Sequence, residues 1–251
     1  MIRQLAAAIA FLTRIPMLSR VVFNAKDIGR SARWFPLIGL IIGGFFVAVL
    51  PLFASLFPPL VSALLIAAID SLLTGALHLD GLADTADGFG SGRTREDVLR
   101  IMRDHAIGSY GAVALILAIA IKAAAIASLI ERHRAASTLA LMPVLGRWSI
   151  VLLSVMQPYA RRPDQDGAPP GGAVSEFVGR GELVVASSTA LPIAIALSRW
   201  RGIASAFLIV VASGLWGWYC RRRIGGITGD TLGASVEISE TLVLLFALID
   251  S

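Results

Sequence analysis

From Trp34 to Ile69 the chain carries no charged residue. About 20 residues at ~1.5 Å each cross a bilayer's hydrocarbon, so this stretch predicts two membrane-spanning helices, with Pro58-Pro59 as the break between them. The same reading places spans near 37–57, 60–79, 111–130, 137–156, 183–199 and 203–220. A shorter apolar end at 239–250 reads as a seventh span or a re-entrant segment. The polar stretches left over are 80–110, 157–182 and 221–238, too short for a separate soluble domain. The expected architecture is therefore all-α, a polytopic integral membrane protein with six to seven transmembrane helices, forming a single domain over 1–251. The first sixteen residues, MIRQLAAAIAFLTRIP, have the basic start and short apolar core of a signal peptide. Thr13-Arg14-Ile15-Pro16 follows instead of a small-residue cleavage site, which favours a retained helix at the membrane interface.

Composition agrees: 56% of the 251 residues are hydrophobic and 16% charged, against about 25% charged in soluble domains. The net charge of +5 and the isoelectric point near 10.1 would suggest nucleic acid if the basic residues formed a patch. They do not. With the N-terminus inside, sixteen of the 22 Lys and Arg fall on one face of the membrane and four (Arg132, Arg134, Arg199, Arg201) on the other, with Lys122 and Arg147 inside spans. The positive-inside rule then puts the three large loops in the cytoplasm, and no nucleic-acid partner is expected. The lone Cys220 excludes an internal disulfide.

Two acidic clusters lie on that same predicted face. In LHLDGLADTADGFG, residues 77–90, Asp80, Asp84 and Asp87 recur at i, i+4 and i+7 and share one stripe if the segment is helical. No basic residue is interleaved, so a divalent cation would relieve their repulsion, and oxygen-only ligands point to Mg²⁺ or Mn²⁺. A solvated acidic helix start is the alternative. Arg103 and Asp104 lie close enough to the next span to face the site, whereas Arg93, Arg95 and Arg100 read as topology anchors. The second cluster, IGGITGDTLGASVEISE at 224–240, joins a glycine-rich loop (Gly225, Gly226, Gly229), whose N–H groups could cradle phosphate, to Asp230, Glu237 and Glu240. Lys122 and Arg147, near mid-span, need partners. One reading pairs Asp70 with Lys122, and the other has both cations lining a polar cavity that meets an anionic substrate. His78 reads as a base or carboxylate orienter, or as a hydrogen-bonded structural residue.

These motifs carry a resemblance. FLTRIP at 11–16, FPLIG at 35–39, HLDGLADTADG at 78–88, IMRD with its following IG and YG at 101–111, Gly146-Arg147, YAR at 159–161 and TGDTLGA at 228–234 closely resemble the cobalamin synthase (adenosylcobinamide-GDP ribazoletransferase) family over nearly the whole length. The resemblance implies an inner-membrane enzyme of late cobalamin assembly. It would join adenosylcobinamide-GDP to α-ribazole or its 5′-phosphate, with release of GMP and with Mg²⁺ as cofactor. It implies metal ligands among Asp80, Asp84, Asp87, Asp230, Glu237 and Glu240, with Lys122 also catalytic. Substrate contacts would come from Arg103, Asp104, Arg147, Arg161, Gly226, Thr228 and Gly229. The implied partners are the two substrates and the lipid bilayer, with room for a homo-oligomer or a complex with other late cobalamin-assembly enzymes. The chain departs from the family at Asp104-His105-Ala106, where Asp-Ser-Arg is common, and in its Pro/Gly-rich stretch Arg161–Gly172. Two rivals fare worse. The CDP-alcohol phosphotransferase pattern needs an Ala-Arg pair after Asp-Gly, which Gly81-Leu82-Ala83-Asp84 lacks. A transporter would concentrate its functional charge at midplane.

Overall fold

The computed structural model describes residues 1–15, 22–161 and 170–249. Pro16 and residues 162–169 of the Pro/Gly-rich stretch lie outside the described residues. The described chain is all helix apart from turns and one isolated parallel bridge between Tyr159 and Ile227. The helices are α1 (Ile2–Leu12), α2 (Ala25–Ser31), α3 (Phe35–Leu56), α4 (Pro59–Thr74), α5 (Leu77–Ser91), α6 (Arg95–Ile101), α7 (Ser109–Glu131), α8 (Ala135–Met156), α9 (Pro170–Phe177), α10 (Arg180–Ile224) and α11 (Gly229–Leu248). Five helical runs are long and apolar enough to cross a membrane, and the α4–α5 pair makes a sixth if taken as one broken span.

α8 is the axis of the bundle. It is buried along nearly its whole length, with α3, α10 and α11 packed around it. Helices in lipid gain no hydrophobic drive from meeting one another, so small residues that let backbones approach decide where they touch. On α3 those residues are Gly39 and Gly43: Gly39 abuts the Pro143 carbonyl of α8, and a Cβ on Gly43 would lie 2.6 Å from the Ala140 oxygen. Gly44, one position on, meets nothing within 4 Å.

One of the expected spans is cut short, and two others are joined in one helical run with a sharp break between them. The span read at 60–79 ends at Thr74, where Gly75 and Ala76 take left-handed backbone (φ 64° and 56°) and the chain turns by 92° into α5. α5 then crosses the ends of other helices. Its Asp87 meets Gly108 and Gly111 at the start of α7, its Gly81 meets Gly233 near the start of α11, and its Phe89 carbonyl accepts from Arg223 at the end of α10. The spans read at 183–199 and 203–220 both lie on α10, whose backbone breaks at Arg199 (φ 51°, ψ −130°). Gly202 presses against the Ala194 carbonyl, whereas residues eight apart on a straight helix are separated by about 12 Å. The chain therefore doubles back at Arg199.

The largest correction concerns 221–250. The sequence predicts a polar loop to residue 238 and a short apolar end after it. Instead α10 runs to Ile224, only 225–228 is loop, and α11 is one 20-residue helix from Gly229. Thr228 caps it: its hydroxyl accepts from the Thr231 N–H while the Thr231 hydroxyl accepts from the Thr228 N–H at 2.8 Å. Glu237 and Glu240 thus lie inside a spanning helix.

The Gly43 crossing makes a direct prediction. Gly43→Ala should lower the unfolding free energy of the detergent-solubilised protein by about 1–3 kcal/mol, the usual cost of overpacking. Gly44→Ala should leave it unchanged or raise it by up to about 1 kcal/mol through helix propensity. Equal thermal midpoints for the two variants would contradict this packing.

Candidate functional site

Close approach of two glycines builds the site. α5 and α11 cross where Gly81 faces Gly233, and a Cβ on Gly81 would lie 2.7 Å from the Asp230 carbonyl oxygen. That contact brings Asp80 and Asp230, far apart in sequence, to the wall of one cavity of about 320 Å³. His78, Gly229, Thr74, Ile150 and, from the end of α1, Phe11, Thr13 and Arg14 complete much of its lining. Asp84 follows one turn after Asp80 on α5. Burial, reinforced by the charges of Asp80, Asp230 and Asp87, pushes its carboxyl up to about 7. Arg161 donates to Asp230 (2.9 Å), the nearest cation to this acidic group. His78 is buried on the cavity wall, and neither ring nitrogen has a hydrogen-bond partner.

Asp80, Asp84 and Asp230 are the residues here that could hold a divalent cation. The candidate donors are all carboxylate oxygens, burial and the neighbouring carboxylates raise Asp84, and the cavity adjoins Asp80 and Asp230. A cation held there would draw the three closer, since their oxygens do not all stand within one ion's reach of one another. Asp87, also expected as a metal ligand, turns its carboxylate to backbone donors. Its two oxygens accept the backbone N–H groups of Gly108 (2.7 Å) and Gly111 (2.9 Å), satisfying orphan donors at the start of α7. Asp87 fastens α7 to α5.

Glu237, Glu240, Lys122 and Arg147, expected at the site, do not line this cavity. They form a buried ion network with Asp70. Lys122 Nζ lies 2.7 Å from Glu237 and 2.5 Å from Glu240, while Arg147 pairs with Glu240 and lies 3.7 Å from Asp70. Asp70, Glu237 and Glu240 are the one carboxylate group among the described residues whose oxygens fall within an ion's reach of one another, and an ammonium and a guanidinium already offset two of the three charges. The cavity beside Lys122 is about 20 Å³, the size of a water and far below a phosphoryl group. Neither expectation for the cations holds as stated. Arg147 is completely buried rather than facing substrate, and Lys122 turns to two glutamates rather than forming an ion pair with Asp70 alone.

The expected phosphate loop is likewise structural at two of its three positions. Gly226 is pressed against the Pro158 carbonyl, where the Ile227 N–H donates to Pro158 (2.9 Å) and the Ala160 N–H donates to Ile227 (2.8 Å). Thr228 is fully buried as the α11 cap, and only Gly229 reaches the cavity. Arg103 and Asp104 are exposed in the turn before α7 and do not line the cavity, and the Asp104 carboxylate accepts from the Ala106 N–H. Arg95 and Arg223 brace the same end of the bundle by donating to carbonyls of Ile224, Ala160, Phe89 and Gly92. Sequence reasoning did not assign Arg14 and Thr13 to the site. The only signal was their place in FLTRIP, since contact between the end of α1 and α5 leaves no periodic trace.

The network predicts a stability defect. Glu240→Gln removes the near partner of Arg147 and one of the two glutamates at Lys122, and breaking a buried pair costs about 3–5 kcal/mol. The folded, monodisperse yield should therefore fall sharply. Normal stability with abolished turnover would return Glu240 to the catalytic group.

A family model described as cobalamin-5-phosphate synthase matches residues 4–248. The chain is 44% identical to an adenosylcobinamide-GDP ribazoletransferase of Rhizobium etli, covering 95% of this chain and 94% of the relative. It is 39% identical to one of Chlorobaculum tepidum (98% and 95%) and 36% identical to one of Klebsiella pneumoniae (99% and 100%). No solved structure matches it. Full-length similarity of this kind, over the helices that build the cavity, leaves one conclusion: the chain belongs to the cobalamin-5-phosphate synthase family.

Proposed function

We propose that the protein is an adenosylcobinamide-GDP ribazoletransferase, joining adenosylcobinamide-GDP to α-ribazole or its 5′-phosphate and releasing GMP. The observation that carries this reading is the pair of carboxylates from two helices, Asp80 and Asp230, on the wall of a 320 Å³ cavity, with Asp84 one turn from Asp80 and within electrostatic reach of both, in a chain of this family. The reaction exchanges one phosphorus–oxygen bond for another. A ribazole hydroxyl attacks the phosphorus carried by the cobinamide arm, the bond to GMP breaks, and the hydroxyl's proton is lost to a base. The cavity is of the size that takes a sugar and a diphosphate rather than a corrin ring. The macrocycle therefore stays outside, and only the reacting end enters.

Asp80, Asp84 and Asp230 would hold Mg²⁺, which when bound neutralises charge on the diphosphate. Arg161 fixes the Asp230 carboxylate and supplies positive charge at the same edge. The apolar part of the lining, Phe11, Ile150, Leu232 and Val174, limits water and so disfavours hydrolysis of the donor. The site faces the cytoplasm in this reading. The N-terminal segment, α5 and the ends of α8 and α10 lie with the cavity at one end of the bundle, while Arg132 and Arg201 donate to the Leu248 and Ile249 carbonyls at the other. The basic-rich segments thus cluster at the cavity end, the end the positive-inside rule assigns to the cytoplasm.

Purified protein in nanodiscs, given both substrates, should release GMP and form the cobalamin product with Mg²⁺ and not with EDTA. Absence of product from folded protein would refute the assignment. Asp84→Asn should reduce turnover at least about 10³-fold while leaving the thermal midpoint nearly unchanged. Wild-type rates would remove Asp84 from the metal shell.

A pH dependence follows from Asp84. Its carboxyl is protonated below about 7, so a cation binding there must displace a proton. The apparent Mg²⁺ affinity should therefore rise with pH, by up to about tenfold per unit below 7, and level off above it. A pH-independent Mg²⁺ affinity between 6 and 8 would show that Asp84 does not ligate.

A further inference from the structure

Beyond the end of α1 the backbone is extended at Thr13, and the Arg14 N–H donates to the Leu73 carbonyl at 2.7 Å, tying this segment to the end of α4. The Arg14 side chain then runs across Gly75 at the α4–α5 bend. A Cβ at that glycine would lie 2.7 Å from its Cγ and 2.9 Å from its Cδ, and closer still to Nε. Gly75 thus serves twice. It takes the left-handed backbone that turns the chain, and it leaves the groove in which the arginine stem lies.

The stem is held while the head is not. Arg14 is exposed, lines the cavity with Asp80, Asp230 and His78, and makes no side-chain hydrogen bond or ion pair among the described residues. Other guanidiniums of the chain are occupied: Arg33 by Glu182, Arg95 and Arg223 by carbonyls, Arg147 by Glu240, and Arg161 by Asp230. A planar fork with a fixed stem suits two oxygens of one phosphate. A ligand that reaches both this fork and a cation held by Asp80 and Asp230 must carry several negative oxygens.

We infer that Arg14 is a substrate-binding residue that grips a phosphate group from the α1 side of the cavity, with Gly75 as the positioning residue that keeps its path open. This rests on the ribazoletransferase reading, in which two substrates can bring phosphate: the diphosphate of the nucleotide donor and the 5′-phosphate of the ribazole acceptor. The chemistry recognised is the same, and kinetics separates the sources.

The test uses the full chain in nanodiscs as wild type, Arg14→Gln, Arg14→Lys and, as an exposed control, Arg100→Gln, each checked for monodispersity. Each substrate is varied, with α-ribazole or its 5′-phosphate as acceptor. Arg14→Gln should raise a KM at least tenfold with a smaller change in kcat, Arg14→Lys should recover part of the loss, and Arg100→Gln should match wild type. A rise in the donor KM with both acceptors identifies the diphosphate. A rise confined to the phosphorylated acceptor identifies the 5′-phosphate. Unchanged KM values in active Arg14→Gln overturn the inference. Binding of inorganic pyrophosphate in Mg²⁺, measured by calorimetry on the same proteins, does not depend on turnover. At least a tenfold loss in Arg14→Gln sustains the inference even if wild type makes no product, a result that would sink only the ribazoletransferase reading. Equal pyrophosphate binding by wild type and Arg14→Gln, or none by either, overturns it.

Discussion

Five charged side chains that meet between four helices constrain everything else in this bundle. Asp70 on α4, Lys122 on α7, Arg147 on α8, and Glu237 and Glu240 on α11 meet there, all but the partly exposed Asp70 being buried. An unpaired charge at such depth is expensive, so each helix must be placed in rotation and height to satisfy the others. Apolar packing alone allows a helix to slide by a turn at modest cost. A guanidinium that must meet one glutamate does not. The network therefore sets the register of α11 against α8. Asp230 precedes Glu237 by seven residues, nearly two turns and about 10.5 Å on the same stripe. Fixing the glutamates in the core thus delivers Asp230 to the end of the bundle, where Gly233 receives Gly81.

Much of this architecture is legible in the sequence because hydropathy reports helices directly. The spans read at 111–130 and 137–156 lie within two residues of α7 and α8 at their ends. The helix that carries Asp80, Asp84 and Asp87 at i, i+4 and i+7 was likewise readable from their spacing. What failed was the second acidic cluster. A window of sequence counts every carboxylate as water-seeking, and so Asp230 and Glu237 pushed the predicted boundary of the apolar segment to residue 239. Their neutralising partners lie 118 and 93 residues away from Glu240. Charge compensation is a property of the packed bundle, and no local window contains it.

The same limit explains the individual misassignments. Asp87 continues the spacing of Asp80 and Asp84, but the start of α7 lies over it and claims both its oxygens. Gly226 belongs to a glycine-rich loop, yet its lack of a side chain is used by the Pro158 backbone. Gly81 looks like a helix-weakening residue in an acidic segment and is the contact point of two helices. Residue type and spacing identify groups capable of chemistry. Tertiary contacts decide which of those groups remain available for it.

That distinction accounts for the site's position. In the core, three carboxylates are held by two cations of the protein itself, which leaves no positive charge to offer and no volume for a phosphate. At the end of the bundle, Arg161 is the one cation paired with Asp80, Asp84 or Asp230 among the described residues, and burial with the neighbouring charges raises the Asp84 carboxyl. Such an imbalance would be intolerable at mid-membrane, where neither water nor a ligand could answer it. Where α5 turns across the bundle end it becomes affordable. The left-handed bend at Gly75 and Ala76 therefore does more than end a helix. It carries the uncompensated carboxylates out of the apolar interior to a cavity that solutes can reach, while leaving them attached to the rigid helices that aim them.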